Sequence, residues 1–468
     1  MPHSISTGTS PKPKLGIDQW KWIVYGTLAL PYLIVYFHRV ALNVVASNLQ
    51  RDFQMSGTMV GTLSAIYFYV YMLMQIPSGI LADTWGPKKT VTFGMFSAFI
   101  GSLLFAIAPS PLFLFIGRFL VSLGVSVIFI SILKIQNTWF RQREFARVTG
   151  ITVLIGNAGA VLAATPLAIL VSLVDWRFAF IVMGLVSLLA VGVTWIFMKN
   201  SPQEMGLPSP EGTSAVEVKK ESWGEVGSAL RLVLSNRWSL ILCLAYFGVF
   251  GSFLTFQSIW GVPYFMDVFQ MDKESAATLL LITTIGHMTG SLTVGYFSDR
   301  LGRRKPAYLG CLGIFTTSWG ILTFYPVLGL PLSLLYPLCF LIGFFASCFI
   351  LTWVWAKEVN DPKIPGIAMG TANMAGFLGA ALLQTLYGFI LDRGWDGQLL
   401  NGSPVYTPES YRLAFLISLG TLLISMVAIF YMRETNNRNI FAEIRSLSST
   451  WIGSSQRKWG ESVFHRKS

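Results

Sequence analysis

"GILADTWGPKKTV", residues 79–91, has a counterpart in "GYFSDRLGRRKPA", residues 295–307. Gly79 aligns with Gly295, Asp83 with Asp299, Gly86 with Gly302 and Lys89 with Lys305, each at a shift of 216 residues. Asn157 in "IGNAGA" and Asn373 in "TANMAG" keep the same shift. The chain therefore reads as one unit present twice. That unit is largely apolar: 53% of the 468 residues are hydrophobic and 12% are charged, whereas soluble domains carry roughly a quarter of charged residues.

A helix needs about 20 apolar residues to cross a bilayer, and the hydrophobic pattern predicts twelve such helices. They fall at 22–47, 58–82, 90–108, 112–136, 148–173 and 178–198, then 238–264, 275–297, 306–326, 331–356, 365–391 and 411–432. The chain reads as an all-α, multi-pass membrane protein of two six-helix halves. Its divisions are an N-terminal tail (1–21), a first half (22–199), a central loop (200–237), a second half (238–432) and a C-terminal tail (433–468). Within the loop, "WGEVGSALRLVLSN" is patterned as a short amphipathic helix.

The net charge of +12 is explained by its distribution. With the N-terminus in the cytoplasm, 26 of the 34 Lys and Arg lie on the cytoplasmic side, 5 lie outside and 3 (Arg39, Arg118 and Lys134) lie within helices. This bias places both termini in the cytoplasm and removes the case for nucleic acid. No nucleotide loop, catalytic triad or metal cluster is present, so neither an enzyme nor a cofactor is expected. Cys243, Cys311, Cys339 and Cys348 all fall inside predicted helices without metal-ligand spacing.

The doubled G-x-x-x-D-x-x-G loop, the twelve helices and the long central loop resemble the major facilitator superfamily over the whole chain. "GRFLVSLG" opening the fourth helix and Trp139-Phe140 closing it are similar to the same family. The resemblance implies two halves related by a pseudo-two-fold axis and transport by alternating access, internal duplication being a common basis of such transporters. It makes Gly79, Asp83, Gly86, Lys89, Gly295, Asp299, Gly302 and Arg304 gating residues. Glycines at these positions suit close helix contact and a tight turn, and Asp83 could pair with basic residues across the interface between halves. Lys134 and Glu358, near helix ends, read as inner-gate charges, and Arg118 matches the family's fourth-helix arginine.

"LPYLIVYFHRVALNVVA", residues 30–46, carries His38 and Arg39 near its centre. A lipid-facing arginine there would cost at least ~2.5 kcal/mol, and no acidic residue lies within a predicted helix core of the first half. A guanidinium in that position suits an anionic solute, since its planar fork matches a carboxylate, sulfonate or phosphate. "YFHRVALNVVA" and "YVYMLMQIPSGILAD" resemble the anion:cation symporter branch of the family, which carries sugar acids and other organic anions. Two departures matter: His38 stands where that branch has Asp, and Val125 stands where it often has a proton-coupling Glu. The seventh helix also lacks the second arginine of the related organophosphate antiporters, which disfavours phosphate-ester exchange.

His38, whose side-chain type titrates near neutrality, and His287 at the middle of the eighth helix are the candidates for carrying a proton. Tyr67, Tyr71 and Gln75 recur at a helical spacing of four and are expected to face the solute. Gln257 and Trp260 would supply an opposing half-site, and Asn157 and Asn373 complete the candidate substrate-binding set. The expectation is a secondary active transporter, a monomer in the cell membrane, moving a small organic anion with a coupling cation, H⁺. The alternatives are an amino-acid or other nutrient importer of the phagosomal type, a nitrate/nitrite-like porter, or a non-transporting sensor on the same fold.

Overall fold

An apolar run in lipid must satisfy its backbone polar groups internally, so it becomes a helix. The computed structural model describes residues 16–141, 144–208 and 223–444. Among these, eleven helices are long and apolar enough to span a membrane, and a twelfth span forms if one bent pair is counted as a single crossing. In chain order the spans are Ile17–Phe53, Gly57–Leu73 with Gln75–Thr84, Pro87–Ala106, Pro111–Trp139, Val148–Leu173 and Trp176–Phe197. They continue with Arg237–Phe269, Lys273–Leu301, Arg304–Leu328, Leu332–Val359, Pro365–Arg393 and Pro408–Tyr431. The amphipathic helix of the central loop is present at Trp223–Ser235.

Three irregularities bear on function, and each has a local cause. The second span bends by 52° between Leu73 and Gln75, where Pro77 lacks an N–H and its ring excludes a regular bond to the Leu73 carbonyl. The seventh span passes through a π-helical turn at Phe256–Trp260, just before Gly261 and Pro263. The first span begins at Ile17, earlier than expected, because Lys21 is held between Asp18 at 2.8 Å and Glu144 at 2.9 Å. The hydrogen bond from Lys21 is also the main reason that the Glu144 carboxyl lies below its usual pKa.

The chain forms two compact units. The first comprises Met1–Lys220, Phe256–Thr284 and Gln384–Ser410; the second comprises Glu221–Thr255, Ile285–Leu383 and Tyr411–Ser468. In the first unit, glycines let helices touch backbone to backbone. A Cβ at Gly101 would lie 2.6 Å from the Gly117 carbonyl oxygen, and one at Gly57 would lie 2.9 Å from the Asp392 carboxylate. Asp392 in turn accepts hydrogen bonds from the Gly57 and Thr58 N–H groups at 2.6 and 2.7 Å. It thereby caps the positive N-terminal end of the second span.

In the second unit, Arg304 joins Asp299 at 2.5 Å and Glu358 at 3.1 Å. Residues beyond the last span fold onto this cluster: Glu434 accepts from the Arg304 and Lys305 N–H groups, both at 2.9 Å, and Thr435 donates to Glu358. The Ile440 N–H donates to the Glu358 carbonyl at 2.8 Å.

Candidate functional site

Arg39 lies on the first span with Tyr36 and Tyr32 one and two turns before it. Its guanidinium carbon is 4.6 Å from the centre of the Tyr36 ring and 5.4 Å from that of Tyr71. Tyr32, Tyr36, Tyr67 and Tyr71 are its electrostatic neighbours. Tyr67 and Tyr71, one turn apart on the second span, stack with ring centres 5.9 Å apart. Aromatic faces attract a cation while leaving a guanidinium edge able to meet an oxyanion. Glycine places the rings: a Cβ at Gly156 of the fifth span would come within 2.7 Å of the Tyr32 ring and 2.8 Å of Tyr36.

Arg118 belongs to the same constellation. It is 1% exposed, donates from Nη1 to the His38 carbonyl at 2.8 Å and has its guanidinium 4.8 Å from the Tyr67 ring. Its Nε and Nη2 have no hydrogen-bond partner among the described residues. Tyr67, whose hydroxyl donates to the Val35 carbonyl at 2.9 Å, is an electrostatic neighbour of both arginines. The four acidic residues between 22 and 199 are engaged elsewhere. Asp52 meets Arg51 and Arg177, Asp83 meets Lys134, Glu144 meets Lys21, and Asp175 caps the sixth span. Two guanidiniums in a tyrosine-lined interior are suited to hold an anion and unsuited to a lone cation.

Several expected site residues direct their side chains to other partners. His38 is fully buried, with Nε2 3.3 Å from Ser102 Oγ and its ring centre 6.0 Å from that of Phe180. Its hydrogen bond to the arginine cluster runs from Arg118 to its carbonyl, and Arg118 is an electrostatic neighbour of its ring. Gln75 falls beyond the 52° bend, which interrupts the spacing that joined it to Tyr67 and Tyr71. Asn157 turns back on its own helix, donating to the Val153 carbonyl at 2.9 Å. Gln257 donates to Thr284 Oγ1 at 2.7 Å, and Trp260 donates to the Gln384 carbonyl at 3.1 Å. Both are buried in the first unit. In the second unit, His287 shares a 2.9 Å hydrogen bond with Ser347 and stacks on Phe349, while Asn373 accepts from Tyr246 at 3.1 Å.

The expected gating residues divide similarly. Asp83 takes its partner within its own unit, Lys134 at 2.6 Å, rather than across an interface between halves. Arg118 stands with the tyrosines, not with these loop-end charges. Gly86 and Gly302 do occupy the left-handed region, at φ 82° and 68°, where glycine is needed. Gly79 and Gly295 face open space, so close helix contact does not explain them. Lys89 is exposed. Tyr32, Tyr36 and Asn43 were not singled out from sequence, although they share a helical face with Arg39 at spacings of three, four and seven.

Comparison with known proteins agrees with this architecture. The model of the Major Facilitator Superfamily matches residues 28–384. The probable sulfoacetate transporter of Cupriavidus necator is 23% identical, covering 86% of this chain and 91% of that protein. The hexuronate transporter of Bacillus subtilis is 25% identical, covering 78% and 87% respectively. Among solved structures, a bacterial homologue of the human lysosomal transporter Spinster, inward-facing and unoccupied, superposes with a TM-score of 0.71. It is 16% identical and covers 88% of this chain and 97% of its own.

Proposed function

This chain belongs to the Major Facilitator Superfamily, and from that premise we propose that it carries a small organic anion, a carboxylate or sulfonate, by proton-coupled symport. As a superfamily member it is a multi-pass membrane transporter and not an enzyme. The observation that carries the anion reading is the pair of buried arginines, Arg39 and Arg118, set among Tyr36, Tyr67 and Tyr71. An oxyanion entering this site exchanges water for charge-assisted hydrogen bonds, which are roughly twice as strong as neutral ones. The relatives named for sulfoacetate and hexuronate both handle organic anions, which supports the same class here.

Proton coupling rests on His38. An anion on Arg39 and Arg118 offsets the positive charge beside the imidazole and so favours its protonation. Solute and proton would then bind together and leave together during alternating access. The coupled unit spans both halves, 22–199 and 238–432, with the 200–237 loop and both termini in the cytoplasm, as the Lys and Arg distribution implies. The chain would work as a monomer.

Uptake of labelled carboxylates and sulfonates into proteoliposomes, with and without an inward-directed proton gradient, tests this. Accumulation of at least one anion above equilibrium, abolished by a protonophore, is expected. Transport only of cations or neutral solutes would refute the reading.

A further inference from the structure

Asn43 lies one turn beyond Arg39 on the first span and is 1% exposed. Its side chain makes three hydrogen bonds to backbone more than 200 residues away. Nδ2 donates to the carbonyls of Phe256 at 3.0 Å and Gln257 at 2.8 Å, and Oδ1 accepts from the Val262 N–H at 2.8 Å. Phe256 and Gln257 open the π-helical turn of the seventh span and Val262 lies two residues past its end. A turn of this kind departs from the regular ladder of backbone hydrogen bonds, and backbone groups left buried and unpaired beside it are costly. One carboxamide supplies both complementary donors and an acceptor.

Other polar links join the first two spans to the same region of the unit. Lys273 donates to Asn48 at 2.5 Å, Gln50 to Tyr406 at 2.9 Å, and the Gly57 and Thr58 N–H groups to Asp392. Asn43 is the most buried of the three side chains that the first span contributes to these links. These links join residues of the first six-helix half, 22–199, to residues of the second, 238–432, so alternation by rocking of the halves would part them in one state, and a carboxamide bonded to three backbone groups would weight that equilibrium.

We propose that Asn43 is a positioning residue for transport, clamping the broken seventh span to the first in one conformation and releasing it in the other. This rests on alternating access but not on the nature of the solute. It also explains why the interruption at Phe256–Trp260 is tolerated in a membrane: the backbone groups it frees are returned to hydrogen bonds by a neighbouring helix.

The test places spin labels at Arg51→Cys and Gln270→Cys in the full-length protein, with the four native cysteines replaced by serine. Distances are measured by double electron–electron resonance in nanodiscs without any added solute. The parent should show a dominant short-distance population. Asn43→Ala should lower the ratio of short to long populations by about tenfold or more, as expected for losing several hydrogen bonds. Asn43→Asp keeps the shape but turns an oxygen toward two carbonyls, and it should do the same. It carries the test alone if the alanine variant cannot be purified. Distance distributions in these variants that superimpose on the parent's would overturn the proposal, leaving Asn43 as a space-filling residue. Because no anion is present, failure of the anion reading would leave this result untouched.

Discussion

Arg118 donates to the main-chain carbonyl of His38 across 2.8 Å, tying the fourth span to the residue that precedes Arg39. That bond orients the first span at the level of the site, while the remaining nitrogens of Arg118 stay available in a buried setting. Arg118→Leu should therefore weaken anion affinity by roughly tenfold or more, the effect of losing one charge-assisted contact. Thermal stability without anion should change little, because the substitution also removes buried N–H groups that lack partners. Isothermal calorimetry and a melting curve on the same sample separate the two effects.

His38→Gln should leave anion exchange across the membrane largely intact and abolish accumulation driven by a proton gradient. Glutamine can retain a hydrogen bond to Ser102, which is 3.3 Å from Nε2, but cannot carry a proton at neutral pH. Counterflow and gradient-driven uptake in one vesicle preparation give both readouts. Unimpaired accumulation would assign coupling to another group.

Asp83 and Lys134 form a half-exposed ion pair at 2.6 Å, and pairs of this kind contribute about 1 kcal/mol or less. Asp83→Asn should accordingly leave the melting temperature almost unchanged while slowing turnover, since the pair links the second and fourth spans at the loop that must move. The double substitution Asp83→Lys with Lys134→Asp should recover part of the lost rate. Stopped-flow transport on the single and double variants measures the coupling.

Glu434 reports on pH. Burial works to raise its pKa, but main-chain N–H groups of Arg304, Asn436, Lys305 and Thr435 outweigh it and hold the carboxyl below its usual value. A depressed folded-state pKa contributes stability above the unfolded value, about 4.3, and loses it as pH falls through the folded value. Glu434→Gln should therefore be less stable than the parent at pH 7, with the gap closing below about pH 4. Melting curves across that window show whether the difference converges.

Much of the fold was legible because lipid allows few solutions. Long apolar runs, a duplicated glycine–aspartate loop and a biased Lys and Arg distribution leave little besides a twelve-span transporter. Arg39 was legible for a related reason, as a charge that hydrocarbon does not tolerate without a purpose. The role of Asn43 was hidden because its partners, Phe256 and Gln257, are backbone groups 213 and 214 residues away. Gln75 stands beyond a bend set by the downstream Pro77, so the spacing that joins it to Tyr67 and Tyr71 is interrupted, an effect that is readable from sequence. His38 and Arg39 are neighbours in sequence, yet consecutive helical side chains point about 100° apart. One accordingly meets Ser102 and Phe180 while the other meets the tyrosines.

The most direct measurement is the thermal stabilisation of purified protein by a panel of organic carboxylates and sulfonates, compared among the parent, Arg39→Lys and Arg39→Ala. Lysine keeps the charge but not the planar fork, so any anion that stabilises the parent should stabilise Arg39→Lys much less and Arg39→Ala not at all. Both variants should melt, without ligand, close to the parent. Full stabilisation of Arg39→Ala by the same anion would contradict the account, as would collapse of its ligand-free fold, which would make Arg39 a structural strut.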